Sequence, residues 1–212
     1  MIDLMAQLNQ EQFIKSFTEV QSGKNPLEES SKFAKIEGDV VEMGVYSGQT
    51  ITILSEAFPE DKVYGFDSFQ GFPEPWKVSD SETIGAGHFN GLGVPDVSNL
   101  KNVTLIAGFF SDTLPVHSDQ IGPIKFLHID SDLYSSALET LEAFNSKIVK
   151  GTVIVFDEFC KFERPSDFDG AWYDNWKEGE YKACVEWIEK YDREVTPIFR
   201  GYQEQACFIV DK

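Results

Sequence analysis

The chain has 212 residues, which fits one α/β domain with a full core and at most a short extra segment. Eighteen Lys and Arg stand against 36 Asp and Glu, a net charge of −18. Such a field repels phosphate backbones, so nucleic acid and anionic membranes are excluded as natural partners. A neutral or cationic small molecule, or a bound metal, suits it better.

No apolar run approaches the roughly 18 residues needed to span a membrane. The start, Met1-Ile2-Asp3-Leu4, shows no basic region followed by an apolar core, so no signal peptide is expected. Cys160, Cys184 and Cys207 are odd in number and widely spaced, with neither zinc spacing nor a disulfide framework. A reducing cytoplasm is the simplest compartment, and Cys160 is expected to be a bystander thiol. Self-association is left open.

In chain order, a leading helix is expected from about Leu4 to Val20, with Ile14, Phe17 and Val20 on its apolar face. Pro26 opens a second short helix through Ala34. Residues 1–36 thus form an N-terminal helical or lid segment of one domain, 1–212. Alternation follows: strand Val40–Met43, helix Gln49–Phe58, strand Val63–Phe66. The stretch Asp67–Asn99 is long and rich in Gly and Pro, and loops of that length tend to be functional or mobile. Val103–Ile106 is a further strand. Ala171–Tyr191 reads as an amphipathic helix through Trp172, Trp176, Ala183, Val185, Trp187 and Ile188. Glu194–Phe199 and Gln205–Val210 are joined by a linker too short for a crossover, so they form an antiparallel hairpin. The sum is a doubly wound α/β sheet of seven strands, mostly parallel, with a C-terminal antiparallel hairpin.

Two strands end in acids: Phe126-Leu127-His128-Ile129-Asp130-Ser131-Asp132 and Val153-Ile154-Val155-Phe156-Asp157-Glu158. One helix-length segment, Leu133–Lys147, separates them. A strand–helix–strand unit makes them parallel neighbours whose carboxyl ends open on the ligand-binding edge of the sheet. Asp130, Asp157 and Glu158 are therefore expected to converge. Carboxylates that close repel one another unless a cation or protons offset them, and their oxygens suit magnesium, calcium or manganese. Asp112 and Asp132 are expected as helix caps. His128 is expected as a hydrogen-bonded core histidine. His88, in the long loop, is the alternative base, and solvent exposure is its bland reading.

The first strand runs into Glu42-Met43-Gly44-Val45-Tyr46-Ser47-Gly48 before a helix. Gly44 and Gly48 permit a tight turn and close ligand approach. The spacing is not that of the dinucleotide fingerprint, whose middle glycine is missing. A carboxylate at the next strand end, Asp67, can accept hydrogen bonds from both ribose hydroxyls. Together they point to a ribose-bearing cofactor with a cationic group. Trp76, Phe89, Trp172, Tyr173 and Trp176 either floor a sugar ring or pack the core.

With these residues in view, the chain resembles a class I S-adenosylmethionine-dependent methyltransferase, and more narrowly the macrocin and mycinamicin O-methyltransferase family, which acts on sugar hydroxyls of natural products. The resemblance covers roughly Gly38–Phe159 and rests on the turn Val41–Gly48, on Val63–Pro73, on Gly108-Phe109-Phe110-Ser111-Asp112-Thr113-Leu114-Pro115, on Asp130-Ser131-Asp132-Leu133-Tyr134-Ser135-Ser136 and on Phe156-Asp157-Glu158-Phe159. It implies a Rossmann-like sheet. It implies that Glu42, Gly44 and Gly48 line the methionine end of S-adenosylmethionine, that Asp67 holds the ribose, and that Phe110 and Ser111 flank the adenine. Asp130, Asp157 and Glu158 would hold magnesium, with Asp130 also a proton acceptor. The chain departs from the family pattern in Ser131, where glycine is usual, and in Glu158, where a second aspartate is usual.

The expected activity is metal-dependent O-methylation of a sugar hydroxyl or vicinal diol on a small, hydroxyl-rich molecule. A catechol-type phenol is the alternative acceptor, since it needs the same metal site. A nucleotide-binding protein without chemistry is the alternative of another class, which the acidic cluster disfavours.

Overall fold

A computed structural model describes residues 16–19, 24–161, 173–201 and 204–212. The expected leading helix lies outside the described residues except at its end. There, Thr18–Glu19 form a short strand, β1, pairing in parallel with Phe199 and Arg200 rather than continuing a helix. The reason is a long-range contact: Phe17 is buried with its ring edge-on to Phe208, 5.3 Å away, which holds this segment against the sheet.

The remaining elements follow the alternation. Helix α1 (Pro26–Ser31) is capped by Asn25, whose Oδ1 accepts from the Leu27 and Glu28 amides. Then come β2 (Asp39–Met43), α2 (Gln49–Ala57) and β3 (Val63–Asp67). A two-stranded hairpin, β4 (Trp76–Lys77) and β5 (Thr83–Ile84), interrupts the long segment that the sequence presents as loop. Trp76 seeds it, edge-on to Tyr173 at 5.2 Å and to Phe72 at 5.8 Å. The sheet resumes with β6 (Val103–Ala107), α3 (Phe110–His117), β7 (Ile124–Ile129), α4 (Tyr134–Ala143) and β8 (Ile148–Phe156). Helix α5 (Glu180–Tyr191), β9 (Val195–Arg200) and β10 (Ala206–Val210) close the chain.

The expected single helix from Ala171 is broken: a 3₁₀ turn at Trp176–Glu178 precedes α5. Gly179 makes the break, and a Cβ there would lie 2.1 Å from the Tyr173 hydroxyl.

Eight strands lie in the order β1-β9-β10-β8-β7-β2-β3-β6. The expected seven-stranded sheet is all but the two-residue β1. Only β10 runs against its neighbours, between β8 and β9. Strand order reverses between β2 and β7, so the crevice outside their carboxyl ends is the place for a ligand. Alternate strand residues feed the two faces. Met43, Phe66, Ile129 and Trp187 pack in one core layer, and Val40, Leu54, Phe126 and Val155 in the other. Among the described residues no helix is long and apolar enough to cross a membrane. Cys160, Cys184 and Cys207 are buried and unpaired, and burial pushes the Cys160 thiol up to about 12. A thiol so rarely ionised is a poor nucleophile.

Candidate active site

The β2–α2 turn is built by backbone conformations that glycine tolerates. Gly44 (φ 98°) ends β2, and Gly48 (φ 84°) caps α2 in the left-handed region. A Cβ on Gly44 would sit 1.8 Å from the Asp130 carbonyl oxygen, so the turn presses directly on the end of β7. Asp67, the last residue of β3, holds the turn in shape. Its Oδ2 accepts from the Val45 and Tyr46 amides, each at 2.8 Å, and its Oδ1 accepts from the Phe69 amide at 2.6 Å.

A cavity of about 470 Å³ opens along this edge. Gly44, Asp67, Phe110 and Ser111 line one part of it, and Asp130, Asp132 and Glu158 another. Of the sequence-derived candidates, Glu42, Gly48, His88 and Asp157 do not line it. A Cβ on Gly48 would lie 3.1 Å from the Pro95 Cβ, so that position is backed by protein and not by the cavity. His88 is exposed in the long segment after β3, its ring 6.3 Å from that of Phe72 and 4.5 Å from that of Phe89.

The acids fall into two groups that share Asp130. Ligand atoms of Asp130, Asp132 and Glu158 lie within 4.8 Å of one another, as do those of His128, Asp130 and Asp157. Asp132 is thus a cluster member and not the expected cap. Leu133 occupies the N-cap of α4, and Asp132 adopts φ 61°. That left-handed conformation is uncommon for a residue with a Cβ, though Asp tolerates it better than most. The spacing of Asp130 and Asp132 signals it, since two acids flanking one residue at a strand end can turn to one side once the chain leaves the strand. Asp112 is likewise no cap: Phe109 holds the N-cap of α3 and Asp112 sits in the first turn, where its charge suits the helix dipole.

Glu180, which the sequence reading did not single out, braces the cluster from α5. Its Oε1 accepts from the Ser131 amide at 3.3 Å, and its Oε2 accepts from the Glu158 amide at 3.1 Å. In the helix expected from Ala171, Glu180 reads as one more charged residue in mid-helix, so no signal marked it. Burial, then the nearby Asp132 charge, pushes Glu180 up to about 8. Burial, reinforced by Asp157, raises Asp130 well above the usual carboxylate range and lifts Asp132 to about 7. Glu158 is raised well above its ordinary value by burial and by Asp132. Carboxyls held this close resist full ionisation unless positive charge is supplied. Glu158 Oε2 is buried without a hydrogen-bond partner. An all-carboxylate oxygen set with one orphaned oxygen fits a hard divalent cation.

Behind the cluster, His128 and Glu42 are fully buried, with His128 Nδ1 2.9 Å from Glu42 Oε1. The expected core histidine is there, but only half satisfied, since its Nε2 has no hydrogen-bond partner. Burial raises Glu42, and its carboxylate neighbours raise His128 well above its ordinary value against the opposing effect of burial.

Over the cavity mouth, Phe72, Pro73, Glu74 and Phe89 form a wall from the hairpin segment. The Phe72 amide donates to the His88 carbonyl, the Gly87 amide donates to the Phe72 carbonyl, and the Ser135 hydroxyl donates to Glu74 Oε1 at 2.5 Å. Tyr173 and Trp176 are buried in the core; Trp172 lies outside the described residues.

Strand order and cavity position define a methyltransferase-type α/β fold. The structure of the O-methyltransferase NovP superposes with a TM-score of 0.63 at 20% identity, covering 88% of this chain and 79% of NovP. The calicheamicin methyltransferase CalS11 gives 0.63 at 21% identity, covering 98% of this chain and 82% of CalS11. The sequence pattern of the macrocin O-methyltransferase (TylF) family matches residues 25–177, and the chain belongs to that family. It is 28% identical over 143 residues to 8-demethyl-8-(2,3-dimethoxy-alpha-L-rhamnosyl)-tetracenomycin-C 4'-O-methyltransferase of Streptomyces olivaceus, covering 59% of this chain and 54% of that one. It is 28% identical over 142 residues to demethyldecarbamoylnovobiocin O-methyltransferase of Streptomyces niveus, covering 58% and 53%. The chain therefore spans about half the length of these curated relatives.

Proposed function

We propose that the protein transfers a methyl group from S-adenosylmethionine to a sugar hydroxyl, or another member of a vicinal diol, on a small molecule, with a magnesium-like ion at the acid cluster. The observation that carries this reading is the single cavity joining the Gly44 turn and Asp67 to Asp130, Asp132 and Glu158. Family membership supports the sugar: one curated relative is named as the O-methyltransferase of a rhamnosyl-tetracenomycin, the other as that of demethyldecarbamoylnovobiocin. MycE, which shares the fold at a TM-score of 0.51, was solved with Mg and S-adenosylhomocysteine.

In this reading Gly44 lets the cofactor approach the backbone, Gly48 turns the chain into α2, Asp67 faces the ribose, and Phe110 and Ser111 border the adenine. Asp130 and Glu158 hold the ion, with Asp157 beside Asp130. The ion supplies Lewis acidity, lowering the pKa of a hydroxyl bound to it. Asp132 is the better placed proton acceptor. It lines the cavity, with a carboxylate oxygen within 4.8 Å of ligand atoms of Asp130 and Glu158. His88 and Asp130 were the sequence candidates for that role; the first lies off the cavity wall and the second is committed to the ion. Holding acceptor and cofactor together supplies several kcal/mol through orientation alone. A wall of Phe72, Pro73 and Phe89 excludes water from the reacting atoms.

Isothermal titration with S-adenosylhomocysteine, with and without magnesium, tests the reading. Binding of both is the expected result. Tight NAD binding with no S-adenosylhomocysteine binding would refute it.

A further inference from the structure

We infer that His128 is a positioning residue that ties the cofactor turn to the cation site, held by Glu42 on one side and aligning Asp157 on the other. The inference rests on the cation reading above.

His128 lies in the middle of the sheet, beside Glu42 of β2 and Val155 of β8. It and Glu42 have no solvent exposure. Nδ1 is engaged by Glu42 Oε1 at 2.9 Å, which fixes the ring plane. Nε2 then faces Asp157 Oδ1 at 3.7 Å, just beyond hydrogen-bond reach. The other Asp157 oxygen accepts from Gln205 Nε2 at 3.4 Å. Asp157 is thus gripped loosely at both oxygens, by one group on β7 and one at the start of the returning chain.

A core histidine kept only for packing has both ring nitrogens satisfied. This one leaves Nε2 buried and unpartnered, aimed at a carboxylate that shares a 4.8 Å cluster with Asp130. A shift of well under 1 Å in Asp157 completes the contact. Carboxylates beside a metal are commonly held by such outer groups, and removing one weakens ion binding by about 10–100-fold. At the far end, Glu42 stands two residues before Gly44, so the same imidazole buttresses the cofactor turn.

Two substitutions separate alignment from packing. In His128→Asn the amide reaches the place of Nδ1 and keeps the Glu42 contact. In His128→Gln it reaches the place of Nε2 and keeps the contact with Asp157. Magnesium is titrated calorimetrically into wild type and both variants with S-adenosylhomocysteine present, and melting temperatures are recorded without the ion. The expected result is magnesium affinity lowered about 10–100-fold in His128→Asn and largely retained in His128→Gln. Wild-type affinity in both variants would overturn the inference while leaving the cation reading intact. No divalent ion binding in the wild type would overturn the cation reading itself. If a variant does not fold, histidine ¹⁵N spectra of the wild-type protein decide, with only three histidines to assign. Magnesium should shift the His128 Nε2 resonance with its proton retained. No shift, or a manganese spectrum showing direct nitrogen coordination, would overturn the positioning role.

Discussion

Gly44 and Asp130 are in backbone contact, so that a Cβ on Gly44 would fall 1.8 Å from the Asp130 carbonyl oxygen. The Asp130 amide in turn donates to the Met43 carbonyl at 2.9 Å. The loop that shapes the cofactor pocket and the strand end that carries the acids are therefore one packed unit. A side chain at position 44 must push them apart. Gly44→Ala is expected to abolish S-adenosylhomocysteine binding and lower the melting temperature. Gly85→Ala, with nothing within 4 Å of its Cβ, is the neutral control. Wild-type binding by Gly44→Ala would contradict this packing.

Asp67 serves the turn as well as the ligand. Asp67→Ala leaves the Val45, Tyr46 and Phe69 amides without their acceptor. Cofactor affinity should fall by about 1–3 kcal/mol, together with a lower melting temperature. Calorimetry on the folded variant checks this, and unchanged affinity would count against the ribose assignment.

The acid cluster makes stability depend on pH and on divalent ions. Asp132, ordinarily near 3.8, is raised to about 7, and Glu180, ordinarily near 4.5, to about 8. A raised carboxyl keeps its proton in the folded state after the unfolded chain has released it. Its contribution is fully present below the ordinary value and is lost as pH climbs to the raised one, here across about pH 4 to 8. An ion on Asp130 and Glu158, beside Asp132, offsets the negative charge that those protons otherwise neutralise, so magnesium should raise the melting temperature more at about pH 8 than at about pH 5.5. Thermal melts with magnesium or chelator measure it. Equal shifts at both pH values would refute the linkage.

The segment from Phe72 to Gly93 covers the cavity through few aliphatic contacts and several aromatic edges. Its hairpin is moored by the Asn175 amide and side chain, which donate to the Val78 and Lys77 carbonyls. Lids of this kind commonly gate turnover. Hydrogen exchange across 72–93 should slow when S-adenosylhomocysteine and acceptor are bound. Identical low exchange in free and bound protein would show a fixed wall instead.

Much of this was legible in the sequence. Val40–Met43, Val63–Phe66 and the two acid-ended strands read directly because fully buried parallel strands leave unbroken apolar runs. The antiparallel return was fixed by the short linker at Arg200. What remained hidden depends on contacts between distant segments. Thr18–Glu19 is extended because Phe17 meets Phe208, a pairing with no local signature. Trp76 builds a hairpin only because Tyr173 stands beside it. Asp132 reads as a cap, and neither its φ of 61° nor its place beside Asp130 and Glu158, which follows another strand, has a local signature. Glu180 braces Ser131 and Glu158 from 49 and 22 residues away in sequence.

The cavity's lining suits an acceptor without negative charge. Asp67, Glu74, Asp130, Asp132, Glu139 and Glu158 line it, with no Lys, Arg or His among the described lining residues. After one divalent ion the field stays negative, which favours a neutral or cationic glycoside over a diphosphate-linked sugar. The most direct measurement is methyl transfer from S-adenosylmethionine to matched panels of neutral glycosides, catechols and nucleoside-diphosphate sugars, each with magnesium and with excess chelator. The account predicts that neutral glycosides are methylated, that chelator abolishes turnover and that added magnesium restores it. Full turnover of glycosides in chelator, or turnover confined to catechols, would contradict it.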